Sequence, residues 1–147
     1  MYDNLHSLPV RLLGADVDDD GQDFAPSSDG AGDLIGTAIV PFKCRLNHTA
    51  IRVTETVAGA TTTAVIKVWK NGTSGTLLAT LTLSTTASGK YAQEVPSSTV
   101  HLEKGDRVDF ELDVVSAGTG AAGKGYPVVV VEYVPEVDGN MTAVTSV

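Results

Sequence analysis

The sequence predicts an all-β protein, an antiparallel β-sandwich or jelly roll of about eight strands with an extended N-terminal arm. The composition is 42% hydrophobic and 19% charged with only 5% aromatic residues, and much of the apolar content is β-branched, which favours strands. Short alternating runs recur between turn residues, whereas no window shows the capped, helix-period apolar repeat of an α-helix. At 147 residues the chain is long enough to bury a core without disulfides or a structural metal.

The predicted strands follow one another at short spacing, as expected for antiparallel neighbours joined by turns. In chain order they are Leu34 to Val40, Phe42 to Leu46, Ala50 to Val57, Ala64 to Lys70, Leu77 to Leu83, Tyr91 to Val95, Val100 to Leu102, Arg107 to Val115 and Val128 to Val134. The segment before them, Leu8 to Leu13, is expected to form a short strand or an arm that lies on a neighbour.

The clearest pair of strands flanks Asn71-Gly72, a dipeptide typical of β-hairpin turns because both residues tolerate positive φ. The side chains expected to face the core are Ala64, Ile66, Val68, Leu77, Ala79, Leu81 and Leu83. The opposite face is largely polar but carries Trp69, the only tryptophan of the chain. A half-exposed tryptophan beside a lysine suggests an interface.

Two later strands have contrasting patterns. Apolar and charged residues alternate from Arg107 to Val115, which predicts one buried face and one solvated or ion-paired face. Val128 to Val131 shows no alternation, which predicts a strand covered on both faces. The Gly-rich stretch between these two strands is expected to be a hairpin-type loop.

We divide the chain into three parts. Residues 1–33 are expected to form an N-terminal arm and an acidic loop, residues 34–135 the β-sandwich domain, and residues 136–147 a C-terminal tail. From Gly14 to Gly32 the chain has no Lys or Arg, and its small and acidic residues bury too little apolar surface to order the segment by itself.

The net charge of −8 and the pI near 4.6 argue against nucleic acid as a partner, because duplex affinity depends mainly on Lys and Arg that neutralise phosphates. No apolar stretch is long enough to span a membrane, and the N-terminus lacks the pattern of a signal peptide. The single cysteine, Cys44, excludes a disulfide within the chain, and the alternation around it predicts a small strand residue rather than a nucleophile.

An acidic segment that begins at Asp16 matches the first half of an EF-hand loop. The twelfth position is Ser27, where the loop requires a Glu, so an EF-hand is excluded. A looser Ca²⁺ site formed by Asp16, Asp18 and Asp20 stays open, and Asp23 could add a ligand. The alternative is a solvated acidic loop, or a patch that faces basic groups on a partner. No other cofactor is expected.

No pattern in the sequence predicts catalysis, and we expect no enzymatic activity. The three histidines have no metal ligands at suitable spacing, and there is no Gly-x-Ser-x-Gly elbow. The Gly-rich loop has no Ser or Thr after its lysine and no helix after it, both of which a phosphate-binding loop needs. Carboxylates could pair across a sheet as in a glycosidase, but the few aromatic residues hardly line a sugar cleft.

Four segments carry a resemblance when they are taken in order. They are Pro41 to Leu46, Val65 to Thr73 with its Lys-Asn-Gly, Leu102 to Val108 with its Leu-x-x-Gly-Asp turn, and Gly120 to Gly125 before the last strand. Together they resemble the β-sandwich modules of tailed-phage virion proteins, which occur in capsid decoration or cement proteins and in tail fibres. The resemblance covers roughly residues 34 to 135.

The resemblance implies a non-enzymatic decoration protein that binds and stabilises the outer surface of a phage head as a homotrimer. The implied partner is the major capsid protein. The implied location is the capsid surface of a virion, with the protein made in the host cytoplasm.

On this basis we expect the arm, through Leu8, Val10 and Leu12, to contact the capsid together with the acidic loop. Trp69 or the charged face that begins at Arg107 is expected to lie at or near a subunit interface. Two alternatives stay open. One is a tail-associated module of a fibre, baseplate or neck, and the other is a carbohydrate-binding β-sandwich, which would need an exposed aromatic platform.

Overall fold

The chain folds into two antiparallel β-sheets that pack face to face, in a computed structural model that describes residues 4–24, 32–58, 63–84, 88–116 and 122–133. No described residue is helical, so none of these ranges contains a helix that could cross a membrane. The predicted all-β sandwich is confirmed. The expected C-terminal tail and residues 117–121 of the Gly-rich loop lie outside the described residues.

The described residues form twelve strands, of which the N-terminal segment supplies four short ones. In chain order the strands are β1 (Leu5–Leu8), β2 (Arg11–Leu12), β3 (Val17–Asp18), β4 (Gly21–Asp23), β5 (Asp33–Ile39), β6 (Cys44–Glu55), β7 (Thr63–Lys70), β8 (Thr76–Ser84), β9 (Tyr91–Glu94), β10 (His101–Leu102), β11 (Arg107–Ser116) and β12 (Lys124–Tyr133). The remaining strands, β5 to β12, correspond to the sandwich strands predicted from the sequence.

The seven-stranded sheet is built on the long antiparallel pair β6 and β12. Strands β9 and β10 pair with β6 at different positions along it, whereas β1 and β4 pair with β12 and β3 extends β4. Strands β9, β6 and β12 therefore lie side by side, and residues from three distant parts of the chain share one outer face.

The five-stranded sheet has the order β2-β5-β11-β7-β8. Because β11 lies between β5 and β7, the charged side chains of β11 have neighbouring side chains from both of these strands. Asp109 lies opposite Thr37 on β5 and opposite Trp69 on β7.

The hydrophobic core lies between the sheets, and its largest fully buried side chains include Phe24, Phe110, Ile35, Ile51 and Ile66. Burying one such side chain stabilises a protein by about 1.5–3 kcal/mol. All the predicted core positions of the hairpin β7–β8 are buried except Leu77, which is 46% exposed. A register shift in the hairpin makes Leu78 the extra residue, so Leu78 packs against the core instead of Leu77.

Strand β6 replaces two predicted strands. The polar residues 47–49 interrupt its apolar pattern, but a register shift opposite Val130 and Val131 absorbs one extra residue and the pairing continues. Strand β12 differs from its prediction as well. Val129 and Val131 are fully buried, whereas Val128 and Val130 are only half-buried, so the strand is not fully covered on its outer face.

The described part of the N-terminal segment pairs with both sheets of its own chain. Strand β1 pairs with β12 and β2 pairs with β5, so the chain passes from one sheet to the other at Pro9. The acidic segment, expected to have no order of its own, contains the hairpin β3–β4 followed by the buried Phe24. Pairing with β12 and the burial of Phe24 supply the order that the local composition does not.

Candidate interaction surfaces

The turns at Asn71 and Asp106 lie side by side at one end of the sandwich. Asn71 Nδ2 donates to Asp106 Oδ1 at 2.9 Å, and Asn71 Oδ1 accepts from the backbone N of Arg107 at 2.9 Å. Asp106 Oδ2 accepts from the backbone N of Glu103 at 2.8 Å and lies 3.0 Å from Lys70 Nζ. Two motifs that are distant in sequence therefore form one hydrogen-bonded unit, which we call the turn cluster.

Backbone geometry and charge both hold the turn cluster. Asn71 and Gly72 have φ angles of 61° and 89°, a left-handed conformation that Asn and Gly tolerate best. A Cβ on Gly75 would lie 1.8 Å from the carbonyl oxygen of Lys70, so only glycine fits there. Burial raises the pKa of Asp106, but the hydrogen bonds to its carboxylate outweigh burial and hold this pKa below its usual value.

The outer face of the five-stranded sheet, called here the paired face, comprises Thr37, Lys67, Trp69, Arg107, Asp109, Glu111 and Asp113. Trp69 is half-buried, and its Nε1 donates to Glu111 Oε2. Lys67 Nζ lies 3.0 Å from Asp113 Oδ1. The tryptophan and the neighbouring charges are thus satisfied by one another across β7 and β11.

Asp109 is the most buried member of the paired face, at 1% exposure. Its Oδ1 accepts a 2.6 Å hydrogen bond from Thr37 Oγ1. Its Oδ2 makes no hydrogen bond and lies 3.5 Å from Arg107 Nε, an ion-pair distance without hydrogen-bond geometry. A buried carboxylate of this kind depends on both partners, because either one alone leaves its charge poorly compensated.

The outer face of the seven-stranded sheet carries a different set of side chains. We call the surface formed by Arg52, Tyr91, Tyr126, Val128 and Val130 the open face. Arg52 on β6 lies opposite Tyr91 on β9 and opposite Tyr126 on β12. Tyr91 is 55% exposed, and Tyr126 is half-buried with its hydroxyl donating to the carbonyl oxygen of Asp19 at 2.8 Å. No acidic side chain among the described residues forms an ion pair with Arg52.

The predicted calcium ligands lie near the β3–β4 hairpin, where Asp18 already has partners. Its Oδ2 lies 2.6 Å from Lys124 Nζ and its Oδ1 accepts from the backbone N of Asp20 at 2.9 Å. The hydrogen bond with Lys124 lowers the pKa of Asp18 and raises the pKa of Lys124. Within the described ranges, no three His, Cys, Asp or Glu residues are arranged to hold a metal ion, so Asp16, Asp18 and Asp20 do not form such a group.

Cys44, His6 and His48 pack against or lie beside other side chains of the same chain. Cys44 lies in β6, as predicted, and is buried; burial raises the pKa of its thiol to about 11, so the thiol stays protonated at neutral pH. The His6 ring packs edge-on against Phe42 with 5.8 Å between centroids. His48 Nδ1 lies 2.8 Å from Asn47 Oδ1.

Two open clefts flank residues 95–100, the loop between β9 and β10. One has a volume of about 360 Å³ and contains the ion pair of Arg45 and Glu132. The other has a volume of about 370 Å³ and contains Lys70, which is paired with Asp106. The charged groups of both clefts are therefore held by partners within the protein.

The five interface residues predicted from the sequence lie in different places. Leu8 is 5% exposed in the core of its own chain, so in this fold it offers almost no surface to a partner. Val10 packs partly against the core, and Leu12 lies on the edge strand β2 opposite Gly36. Trp69 and Arg107 lie on the paired face. For all except Leu8, a role in an interface stays a prediction.

Sequence reasoning missed Arg52, Tyr91 and Tyr126 as a group. The alternation of Ile51, Arg52 and Val53 places the arginine outward, but only the pairing of three strands brings the tyrosines beside it. Comparisons with known proteins point to no further residue, since neither a family model nor a curated protein matches the sequence.

Proposed function

We propose that the chain is a non-enzymatic structural protein of a virion, a decoration or cement protein that binds the outer surface of a phage capsid. The proposal begins with the resemblance to tailed-phage modules, and the turn cluster is the observation that supports it most directly. Two of the four resembling segments meet there through the hydrogen bonds of Asn71 to Asp106 and Arg107. Segments that form one physical unit are expected to occur together in a module, which favours a shared architecture over chance similarity.

The fold has properties that suit this role. Strands β1 and β2 pair the N-terminal segment with both sheets, so this segment links the two layers of the sandwich. A decoration protein needs such a stiff body, because each subunit contributes a modest contact that symmetry repeats many times. The proposed partner is the major capsid protein, and the proposed assembly is a homotrimer at the capsid surface.

The copy number of the chain in purified particles tests the proposal. Particles are banded on a density gradient from a culture that produces the virus encoding the chain, and the protein is quantified on a stained gel. We expect on the order of hundreds of copies per particle, as for a component that follows capsid symmetry. A handful of copies would favour the tail-associated alternative, and absence from intact particles would contradict both.

Sedimentation equilibrium of the purified protein tests the trimer separately. We expect a mass three times the 15.2 kDa of the chain. A monomer at every concentration would refute the homotrimer in solution, while capsid binding would still be decided by the copy number.

A further inference from the structure

The open face is built around an arginine that lies between two tyrosines. Arg52 is the direct cross-strand neighbour of Tyr91 on one side and of Tyr126 on the other. Side chains in such positions have Cβ atoms about 5 Å apart, close enough for the rings to flank the guanidinium. Arginine and tyrosine are enriched where protein interfaces hold most of their binding energy.

The charge of Arg52 has no partner within the described part of the chain, although acidic residues are abundant. The chain has 10 Lys and Arg against 18 Asp and Glu, and all the basic residues are described. The cations that form ion pairs are Lys43, Arg45, Lys67, Lys70, Arg107 and Lys124. Arg52 is not among them, and neither is the exposed Lys90, whose carbonyl oxygen accepts from the backbone N of Val53 beside Arg52. A small basic corner therefore remains on an acidic protein.

Apolar surface continues from this corner along β12. Val128 and Val130 are half-buried on the same outward side of the strand as Tyr126, whereas Ala50, opposite Val128 in the next strand, is fully buried and adds no surface. Aliphatic surface beside an arginine whose cross-strand neighbours are tyrosines excludes water from a charge pair once a partner covers it, which strengthens that pair.

We propose that the open face is a docking surface for a protein that presents a carboxylate among apolar side chains, with Arg52 pairing with that carboxylate. The inference rests on the proposed function, in which the partner is the capsid subunit. Charge complementarity selects this chemistry, because an unpaired guanidinium accommodates a carboxylate in a bidentate geometry. A polyanion such as nucleic acid would meet the same arginine but also the repulsion of a chain with a net charge of −8.

The test compares two charge reversals that change the net charge equally. Arg52→Glu acts on the open face, whereas Lys104→Glu acts on another exposed cation without an ion-pair partner among the described residues. Particles that lack the chain, from a virus with its gene deleted, are incubated with each purified protein and sedimented. We expect Arg52→Glu to weaken binding at least about tenfold and Lys104→Glu to change it less than about twofold. The loss of binding for Arg52→Ala should lie between these two values. Such a result would show that the lost ion pair, and not only the repulsion from a new Glu, weakens binding.

The outcomes separate the two proposals. If the wild-type protein binds particles and both reversals bind equally, the docking surface is wrong and the proposed function stands. If the wild-type protein does not bind particles, the proposed function fails and this inference fails with it. Binding of the wild-type protein to a glycan array that is lost in Tyr91→Ala would identify the open face as a sugar site and overturn the inference. Restored binding of Arg52→Glu to particles with one capsid carboxylate changed to Arg would identify the partner residue and support the inference directly.

Discussion

The paired face and the open face lie on opposite sides of one sandwich, and they differ in what their polar groups still lack. On the paired face, Trp69 donates to Glu111 and Asp109 is covered by its neighbours. On the open face, Arg52 makes no ion pair with any described residue and lies beside half-buried aliphatic side chains such as Val128. The polar groups of the paired face are therefore mostly bonded to one another, whereas the arginine of the open face forms no ion pair with a described residue. Substitutions on the paired face should change stability, whereas substitutions on the open face should change binding.

The largest expected effect on stability is at Asp109. Asp109→Ala leaves Thr37 Oγ1 without its acceptor and a void at a position that is 1% exposed, and we expect it to lower the free energy of unfolding by about 3 kcal/mol. Urea denaturation followed by circular dichroism measures the change. Asp113→Ala, which breaks a partly exposed pair with Lys67, is the control and should lose less than about 1 kcal/mol. Equal losses in the two variants would show that the paired face does not depend on its buried carboxylate.

The turn cluster, at the end of the five-stranded sheet, should make stability depend on pH. The folded-state pKa of Asp106 is held below its usual value. The ionised carboxylate therefore contributes its full stabilisation of the folded state above about pH 4. That contribution is lost as the pH falls through the folded-state pKa, because protonation then removes the acceptor for Asn71 and Lys70. We expect Asp106→Asn to lose about 1–2 kcal/mol at pH 7, and the difference from wild type to shrink as the pH falls below about 4.

Glu103→Gln provides the matched measurement in the same turn. Among the described residues, the Glu103 side chain forms only an exposed pair with Lys43 at 3.9 Å. We therefore expect the free energy of unfolding of Glu103→Gln to follow that of the wild type across this pH range. A constant gap between Asp106→Asn and wild type from pH 7 to pH 3 would rule out the electrostatic explanation.

The sequence predicted those parts of the fold that local patterns determine. Side-chain alternation and the Asn71-Gly72 turn identified the hairpin β7–β8 and the buried side of Ile66 and Val68 correctly. The exposure of Leu77 could not be predicted, because it depends on a register shift between strands. The continuity of β6 through polar residues also depends on a shift opposite β12, which no local pattern reveals.

The candidate surfaces were less predictable for the same reason. The sequence placed Trp69 on a polar face, which is correct, but its acceptor Glu111 is distant in sequence and is brought near only by the pairing of β7 with β11. Predicting the open face would require the pairing registers of the three strands β9, β6 and β12. The order of the acidic hairpin was missed because Asp18 finds its partner Lys124 on the last described strand.

A smaller effect is expected at Glu111, whose carboxylate accepts from Trp69 Nε1. Glu111→Ala leaves the indole without its acceptor, and we expect a loss of about 1 kcal/mol together with a shift in tryptophan emission. Because Trp69 is the only tryptophan, the emission reports on the paired face alone. Asp113→Ala should leave the emission maximum unchanged, and a similar shift in that variant would mean that the emission follows the charge of the face rather than the hydrogen bond.

The smallest effect on stability is expected at Arg52, and this makes it the sharpest test of the difference between the two faces. Arg52 is exposed and has no ion-pair partner among the described residues, so Arg52→Ala should change the free energy of unfolding by less than about 0.5 kcal/mol. The emission of Trp69, on the opposite face, should not move. Urea denaturation and fluorescence on the same samples measure both. A loss comparable to that of Glu111→Ala would mean that Arg52 stabilises its own sheet. A side chain that acts only in binding a partner should contribute little to the free energy of unfolding of the unbound protein.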